Sequence, residues 1–468
     1  MILYELNEVP RKLFDFYAAA LPKSAFAFLR QNASLFQTHA ADIGHLSPWV
    51  SWPTLHKGVP NTQHTISDLG QDIKFVNSTY PDIWEYLSNS DMKIGMFGAL
   101  HSYPLPSNLQ NYEFYVPDTF AAGPECSPKE ISAFQNFNLA MVQANGLNVN
   151  RSVSRAGLTN FIYNSRKLGI TTRTMASLSR QILSEFVDKD RLVRRRTSQA
   201  EISFDVYMKQ LNRNSTNFSI FFTNHVASSM HRYWQTIFPN DYDQEIFDRD
   251  WLLRWSEEIP HAVKIANYQI WELIKFCLKT KQRLVVASSM GQAAVSKVQK
   301  IDRNIFISDV QKLLEFISIP KESWDLRMSM APQVVIKPKT EQILEEIEKL
   351  HNITINGKAI KTFITSTGDI RIETAQSSDE TLYVCYNGKQ IDHNQVGLKN
   401  VHLQDAAGAY AYHIPQGVLM DFNPSKSRSE KYMNVWTDVN VLDVAPSILK
   451  YFGVNKPSYM SGDTGLFQ

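Results

Sequence analysis

Five short apolar runs, separated by longer stretches with helical spacing, constrain the fold of this chain more than any other feature. Their hydrophobicity is continuous and does not alternate, which is typical of strands covered on both faces. The intervening stretches 24–33, 80–90 and 441–453 carry apolar residues at helical spacing. The pattern predicts an α/β protein, a three-layer sandwich with a mainly parallel central sheet. The runs are MILYEL (1–6), KIGMFGAL (93–100), FSIFFTN (218–224), RLVVASS (283–289) and GVLMDF (417–422).

The charge of the chain bears on its partners, and its cysteines bear on disulfides and metal sites. The 468 residues include 48 Lys and Arg against 46 Asp and Glu, so the net field gives no strong attraction to nucleic acid or to anionic lipid. Cys126, Cys277 and Cys385 lie far apart without a CxxC spacing, which argues against a disulfide framework and a thiolate metal site. No apolar run approaches the length of a membrane span, and the first residues read as a strand and not as a leader. The default prediction is a cytoplasmic protein that binds a small molecule.

Changes in composition and in hydrophobic pattern along the chain predict five segments. The core occupies 1–124, 216–329 and 401–468, and it is interrupted by a mainly helical insertion at 125–215 and a small α+β cap at 330–400. The insertion carries the basic run DRLVRRR at 190–196. We interpret this run as a solvated helix face, with an anion-attracting rim as the alternative.

Several motifs together resemble the alkaline phosphatase and type I phosphodiesterase/nucleotide pyrophosphatase superfamily. The resemblance runs from the first strand to the C-terminus and leaves out most of 125–215 and 330–400. In that superfamily a hydroxyl attacks phosphorus beside two zinc-type ions held by carboxylates and imidazoles. The resemblance therefore implies an alkaline-phosphatase-like fold and a phosphate-containing substrate. The motifs are the first strand ILYELNEV, VSWPTLHKGVPNTQHTI (50–66), FFTNHVASSMHRYW (221–234), VVASSMG (285–291), AYHIPQGVLMDF (411–422) and the closing helix VLDVAPSILKYFGV with PSYMSGDTG.

Position by position, the resemblance implies a depleted site. It places the nucleophile on Ser51 and retains two imidazoles, His231 and His413. The positions of the family's other metal ligands fall on residues that carry no charge to hold a divalent ion, so we predict that an intact binuclear centre is absent. No firm cofactor is expected, and the remaining metal hypothesis is one zinc or other divalent ion held by three histidines. The uncharged positions are Asn7, Ala227, Ser289 and Met290, and the three histidines are His225, His231 and His413.

Further side chains are candidates for contacting a phosphorylated or nucleotide-linked substrate. Arg232 suits bidentate binding of phosphate, and the other candidates follow predicted strands or line the VSWPT turn. Ordinary structural roles are the alternative: Ser51 can cap a helix, and His101 and Ser102 can belong to a packing turn. Strand alternation predicts that Glu5 lies beside Asn7 and that Glu8 faces away. The substrate-binding candidates are Asn7, Thr54, His101, Ser102, Asn224, Arg232 and Ser289.

Three functions follow from this reasoning. The first is hydrolysis or group transfer on a phosphate-containing, nucleotide- or sugar-linked substrate, with Ser51, His231 and His413 as catalytic residues. The second is a metal-independent glycosyl or other group transferase that uses a nucleotide-activated donor, with catalysis from positioning and acid–base groups. The third is a catalytically inactive binding module.

Overall fold

A computed structural model gives the architecture. It describes residues 1–44, 46–147, 155–243, 247–295, 303–327, 329, 333–365, 368–374, 379–403, 405–407, 409–426 and 435–467.

An eight-stranded sheet forms the centre of the structure. Its strand order is β20-β2-β19-β6-β1-β5-β3-β4, and β19 runs antiparallel to both of its neighbours while every other adjacent pair is parallel. The eight strands are β1 (Ile2–Leu6), β2 (Ser34–His39), β3 (Ile94–Phe97), β4 (Tyr112–Val116), β5 (Phe218–Thr223), β6 (Leu284–Ala287), β19 (Gln416–Phe422) and β20 (Trp436–Asn440).

Shorter strands lie outside this sheet. They are β7 (Gly291–Ala294), β8 (Arg303–Ile307), β9 (Trp324–Arg327), β10 (Val334–Pro338), β11 (Ile353–Ile355), β12 (Lys358–Ala359), β13 (Lys361–Ile364), β14 (Ile370–Glu373), β15 (Val384–Tyr386), β16 (Lys389–Ile391), β17 (Leu398–His402) and β18 (Ala411–Ile414). Among them, β7 pairs antiparallel with β18 and places Gln292 opposite His413.

Helices cover both faces of the central sheet. The α-helices of the described residues are α1 (Arg11–Ala20), α2 (Ala25–Asn32), α3 (Pro48–Lys57), α4 (Asn61–His64), α5 (Lys74–Thr79), α6 (Ile83–Asn89), α7 (Ser132–Leu147), α8 (Arg155–Leu168), α9 (Thr172–Val187), α10 (Arg195–Arg213), α11 (His225–Ile237), α12 (Arg249–Trp255), α13 (Glu258–Thr280), α14 (Val310–Phe316), α15 (Gln342–Glu346) and α16 (Val444–Tyr451). Of these, α14 and α15 pack in a separate hydrophobic cluster and not on the central sheet.

The first strand shows how the three layers arise. Ile2, Tyr4 and Leu6 pack into one hydrophobic core, which contains residues of α1, α2, α10, α11 and α13. Leu3 packs into the opposite core with residues of α3, α6 and α16. Because successive side chains of a strand point to opposite faces, a strand buried on both sides must be apolar throughout. The predicted three-layer α/β fold with a mainly parallel sheet is confirmed.

All five apolar runs form strands of the central sheet, but one runs in the unexpected direction. Four of the five become β1, β3, β5 and β6, which run parallel to one another, and the run at 417–422 becomes the antiparallel β19. A chain stretch covered on both faces is continuously apolar whichever way it runs, so hydrophobicity carries no directional signal.

A third hydrophobic cluster lies away from the central sheet. It is built from residues between Ile305 and Leu398, including Trp324, Ile336 and Leu350, and it is flanked by two four-stranded antiparallel sheets.

Within the part of the chain that the structure describes, no helix combines the length and apolar character needed to cross a membrane.

Candidate active site

Polar side chains gather where the central strands of the sheet end. Asn7 follows β1, Asn224 follows β5, and Ser288 and Ser289 follow β6. Because β1 pairs in parallel with both β5 and β6, these three strand ends meet at one edge. This edge is where open α/β sheets place their ligand crevices.

A carboxylate and two imidazoles form a cluster beside this edge. Glu8 Oε2 lies 2.9 Å from His231 Nε2 and 3.4 Å from His413 Nε2. The prediction that Glu8 faces away is wrong. Strand β1 ends at Leu6, and Glu8 adopts a left-handed backbone conformation with φ of 58°, so the alternation of the strand no longer sets its direction.

Backbone carbonyls fix both imidazole rings. His231 Nδ1 lies 2.7 Å from the carbonyl oxygen of Ala411, and His413 Nδ1 lies 2.8 Å from that of Leu46. Nδ1 is the donor in both bonds because a carbonyl oxygen only accepts. Each ring therefore turns its Nε2 atom toward Glu8.

Hydrogen bonds saturate the Glu8 carboxylate. Asn7 Nδ2 donates to Oε1 over 2.8 Å, and Gln292 Nε2 donates to Oε2, the oxygen that the histidines approach. Burial acts to raise the pKa of Glu8, but His231 and His413 outweigh it and hold that pKa well below its usual range. Burial also acts to lower the pKa of His231, but Glu8 outweighs it and raises the pKa. Without a metal, the ionised Glu8 favours the protonated form of His231.

The same cluster has the chemistry of a metal site. One ligand atom from each of Glu8, His231 and His413 lies within 4.8 Å of the others. Two imidazoles and a carboxylate are a common set of protein ligands for catalytic zinc, and three protein ligands leave a coordination position open. The carbonyls, Asn7 and Gln292 orient these ligands, as outer partners do in known metal sites. The residues fit one zinc-type ion.

The positions that the resemblance assigns to a second ion hold uncharged side chains that bond to one another. Ser51 Oγ lies 2.7 Å from Ser289 Oγ, and neither residue is exposed. Trp52 Nε1 donates to Asn7 Oδ1 over 2.8 Å, and Asn7 Nδ2 donates to Asn224 Oδ1 over 2.7 Å. Ser51 lies inside α3, whose cap is Ser47, so Ser51 is not a helix cap.

His225 does not join the metal cluster. Its Nδ1 bonds to the Thr223 hydroxyl at 2.7 Å, and its Nε2 bonds to the Ala262 carbonyl at 3.1 Å. His225 and His231 are six residues apart on α11, which places them about 240° apart around the helix. The proposed ligand set of three histidines is therefore corrected: the third group beside His231 and His413 is Glu8.

Three further candidates occupy interior hydrogen bonds of their own. Thr54 Oγ1 bonds to Asp42 and, at 2.9 Å, to His64 Nε2. His101 Nε2 donates to the Trp49 carbonyl over 2.9 Å, and burial lowers the pKa of this histidine to about 4. Ser102 Oγ accepts the Asp118 N–H at 3.0 Å. Thr54 thus lies within α3, and His101 and Ser102 lie in the turn that follows β3.

Arg232 lies next to His231 on α11 and pairs with a carboxylate of its own. Its Nη1 bonds to Asp405 Oδ2, which also accepts the Tyr233 hydroxyl at 2.7 Å. Trp234 is fully buried in the core.

Sequence reasoning missed Glu8 as a ligand and Gln292 as its partner. The signal for Glu8 was its place directly after the strand, where alternation stops applying. Gln292 carried no such signal, because its contact with Glu8 depends on how β7 pairs with β18.

Comparison with known proteins gives a likeness to solved structures. No family model and no curated protein sequence matches the chain. Murine ectonucleotide pyrophosphatase/phosphodiesterase 5, as an inactive form in complex with AMP, is 11% identical with a TM-score of 0.41, covering 100% of this chain and 99% of that one. A second murine structure of that protein is 11% identical with a TM-score of 0.40 and covers 100% of both chains. The human protein has the same identity and score and covers 100% and 99%.

Proposed function

We propose that this chain acts on a phosphate-containing, nucleotide- or sugar-linked small molecule at a single-metal site formed by Glu8, His231 and His413. The reaction is phosphoester hydrolysis or group transfer. The observation that carries the proposal is the convergence of one buried carboxylate and two carbonyl-anchored imidazoles beside the strand ends of the sheet.

The charge balance supports one ion and argues against two. The Glu8 carboxylate compensates half of the charge of a divalent ion at the cluster, and the imidazoles bind the ion as neutral ligands. Asn7, Ser51 and Ser289 contribute no charge to a second ion, and Asn7 already uses its amide to donate to Glu8. A second ion beside them would have no anionic ligand from these three residues.

When bound, a zinc-type ion supplies Lewis-acid polarisation of a phosphoryl oxygen. The chain's own residues orient the candidate metal ligands and place charge around the site. Asn7 and Gln292 fix the Glu8 carboxylate, and Asn224 is exposed at the end of β5, where it faces incoming ligands. Arg232 places positive charge next to His231, which favours an anionic substrate.

Two alternatives each have an observation in their favour. The 2.9 Å contact between Glu8 and His231 is already an acid–base pair without a metal, which suits a metal-independent transferase. The complete burial of Ser51 and its bond to Ser289 suit a binding module, because a nucleophile must reach its substrate.

Metal analysis and a substrate panel test the proposal. The metal content of the chain is measured after zinc loading and gel filtration, for the wild type and for Glu8→Gln, His231→Gln and His413→Gln. The matched control is His402→Gln, because His402 is exposed on β17. We expect one ion per chain in the wild type and the control. In the three site variants we expect a loss of at least about tenfold in affinity, because mutation of an outer-shell partner alone already costs about 10- to 100-fold.

The same proteins are assayed with phosphodiesters and nucleotide-sugars, with and without a chelator. Turnover that depends on zinc and on all three ligands supports the proposal. Turnover that persists in chelator but is lost in His231→Gln supports the metal-independent transferase, and tight binding without turnover supports the binding module. Two tightly held ions per chain, or none at micromolar zinc, would overturn the single-metal site.

A further inference from the structure

The basic run at 190–196 is mostly neutralised inside the molecule. Arg191 and Arg194 both bond to Glu258 at 2.8 Å. Arg195 bonds to Glu185, also at 2.8 Å. Arg191 and Arg194 therefore join the helical insertion to α13, and Arg195 joins α10 to α9, so these three arginines do not form a free basic surface.

Arg196 is the exception in this run. Its contact is a hydrogen bond from Nη1 to the Ser228 hydroxyl of α11 at 3.3 Å. Among the residues that the structure describes, no carboxylate lies within ion-pair distance of Arg196, although the residue is mostly buried. A guanidinium has five N–H donors and stays charged at neutral pH, and within the described residues the side chain of Arg196 makes one hydrogen bond, to a neutral hydroxyl, and no ion pair.

Arg196 and Arg232 both lie near the Asp405 carboxylate, whose single negative charge can neutralise only one of them. Asp405 accepts from Arg232 and Tyr233 through Oδ2 and from the Ala407 N–H through Oδ1. Burial and the nearby Arg232 lower the pKa of Arg196 to about 10, as expected where two guanidinium groups lie close together. The group carries one net positive charge, which an anion would neutralise.

This surplus charge adjoins the candidate metal site. Ser228 and Arg232 are one helical turn apart on α11, and His231 lies between them along the same helix. The side chains of His231 and Arg232 are 24% and 22% exposed, so this flank is open to solvent. Ser228 also follows Ala227, whose carbonyl accepts from the Gln292 amide that holds Glu8.

We infer that Arg196, Arg232 and Ser228 form an oxyanion subsite next to the cluster of Glu8, His231 and His413. The subsite binds a tetrahedral anionic group of the ligand, phosphoryl or sulfuryl, through charge-assisted hydrogen bonds. As a substrate subsite it rests on the proposed function, and it gives the helical insertion a role in ligand choice, because Arg196 belongs to α10.

Anion binding by the metal-free protein tests this subsite separately from the metal site. The probes are inorganic phosphate and sulfate, titrated calorimetrically in chelator into the full chain. The variants are Arg196→Gln and Arg196→Lys, with Arg180→Gln as a control for the same loss of charge at an exposed position of α9. Arg232→Gln is not used, because it would leave Asp405 buried without its partner.

We expect Arg196→Gln to weaken phosphate and sulfate binding about tenfold or more, Arg196→Lys to weaken it less, and Arg180→Gln to leave it unchanged. Zinc affinity should stay at the wild-type value in Arg196→Gln, since the metal ligands are untouched. Equal affinity in wild type and Arg196→Gln, or no anion binding by the wild type, would overturn the subsite. Equal zinc affinity in wild type and Glu8→Gln would instead overturn the metal site and leave the anion result standing.

Discussion

Asn7→Asp restores the carboxylate that the family resemblance places at the end of the first strand. We expect this change to destabilise the metal-free protein. In the wild type, Asn7 donates its amide to Glu8 and to Asn224 and accepts from Trp52. An ionised carboxylate in its place would put two negative charges within hydrogen-bond distance of each other at a buried position.

The expected magnitude follows from the proton that such a pair must share. Two adjacent carboxylates do not both ionise, so the new carboxyl has to stay protonated and donate to Glu8. An unperturbed Asp has a pKa of about 3.9, and a tenfold change in proton affinity corresponds to about 1.36 kcal/mol. Keeping the proton at pH 7 therefore costs about 4 kcal/mol, and at pH 5 about 1.5 kcal/mol.

The sign of the pH dependence distinguishes this mechanism from simple loss of hydrogen bonds. A carboxyl whose folded pKa is raised binds its proton more tightly in the folded state, so the penalty is absent below about pH 4 and grows as pH rises. The control Asn7→Ser removes the same donors without adding a charge. Its cost should be nearly constant between pH 5 and pH 7.

Urea unfolding in chelator at pH 5 and pH 7 provides the measurement, with the free energy of unfolding compared between wild type, Asn7→Asp and Asn7→Ser. Zinc should restore part of the stability of Asn7→Asp, because binding to the folded state alone stabilises it. The reasoning is refuted if Asn7→Asp stays within 1 kcal/mol of the wild type at pH 7, a margin of about a quarter of the expected cost, or if its penalty does not grow with pH.

Three further changes probe the surroundings of the site. Burial lowers the pKa of His225 to about 3, against about 6.5 in an unfolded chain. Keeping this ring neutral in the folded state therefore costs about 2 kcal/mol at pH 5 and none at pH 8. His225→Gln should reduce the loss of unfolding free energy on acidification, as measured by urea unfolding. Gly291→Ala should lower the free energy of unfolding by about 2 kcal/mol, because the added Cβ would lie 2.1 Å from the Gln416 carbonyl oxygen. Ser51→Ala should cost about 1 kcal/mol and leave zinc affinity unchanged, because the hydroxyl bonds to Ser289 and not to the metal cluster.

The fold could be predicted from the sequence where burial alone decides an element. The apolar runs form β1, β3, β5 and β6, and the amphipathic stretch 441–453 contains α16. The start of α3 could not be placed in this way. Ser47 and Ser51 both precede a proline by one or two residues, and only tertiary packing selects Ser47 as the cap.

The two imidazoles of the candidate site could be predicted from the sequence, but its carboxylate could not. His231 and His413 stand in motifs that resemble those of a known family, and the structure brings their rings to 5.3 Å between centroids. The direction of Glu8 depends on a left-handed residue after the strand, and periodicity says nothing about such a residue. The exclusion of His225 depends on where α11 begins, which the sequence alone does not locate to one residue.

The absence of a carboxylate at Asn7 and Ala227, where the resemblance places one, can be interpreted together with the carboxylate of Glu8. Ala227 lies one helical turn before His231, so an Asp at that position would face the same imidazole that Glu8 now approaches. With Glu8 in place, a further carboxylate there would add repulsion to a buried site, whereas alanine and asparagine leave a single negative charge.

Moving the carboxylate back tests this interpretation. We expect Glu8→Gln to lose zinc affinity at least tenfold and the double variant Glu8→Gln with Ala227→Asp to recover most of it, because the ligand set is again one carboxylate and two imidazoles. Ala227→Asp alone should lower the free energy of unfolding in chelator, since it places two carboxylates beside His231. Zinc titration and urea unfolding of the four proteins give both quantities. If the double variant binds zinc no better than Glu8→Gln, the two positions do not substitute for each other, and the carboxylate of Glu8 is not a displaced metal ligand.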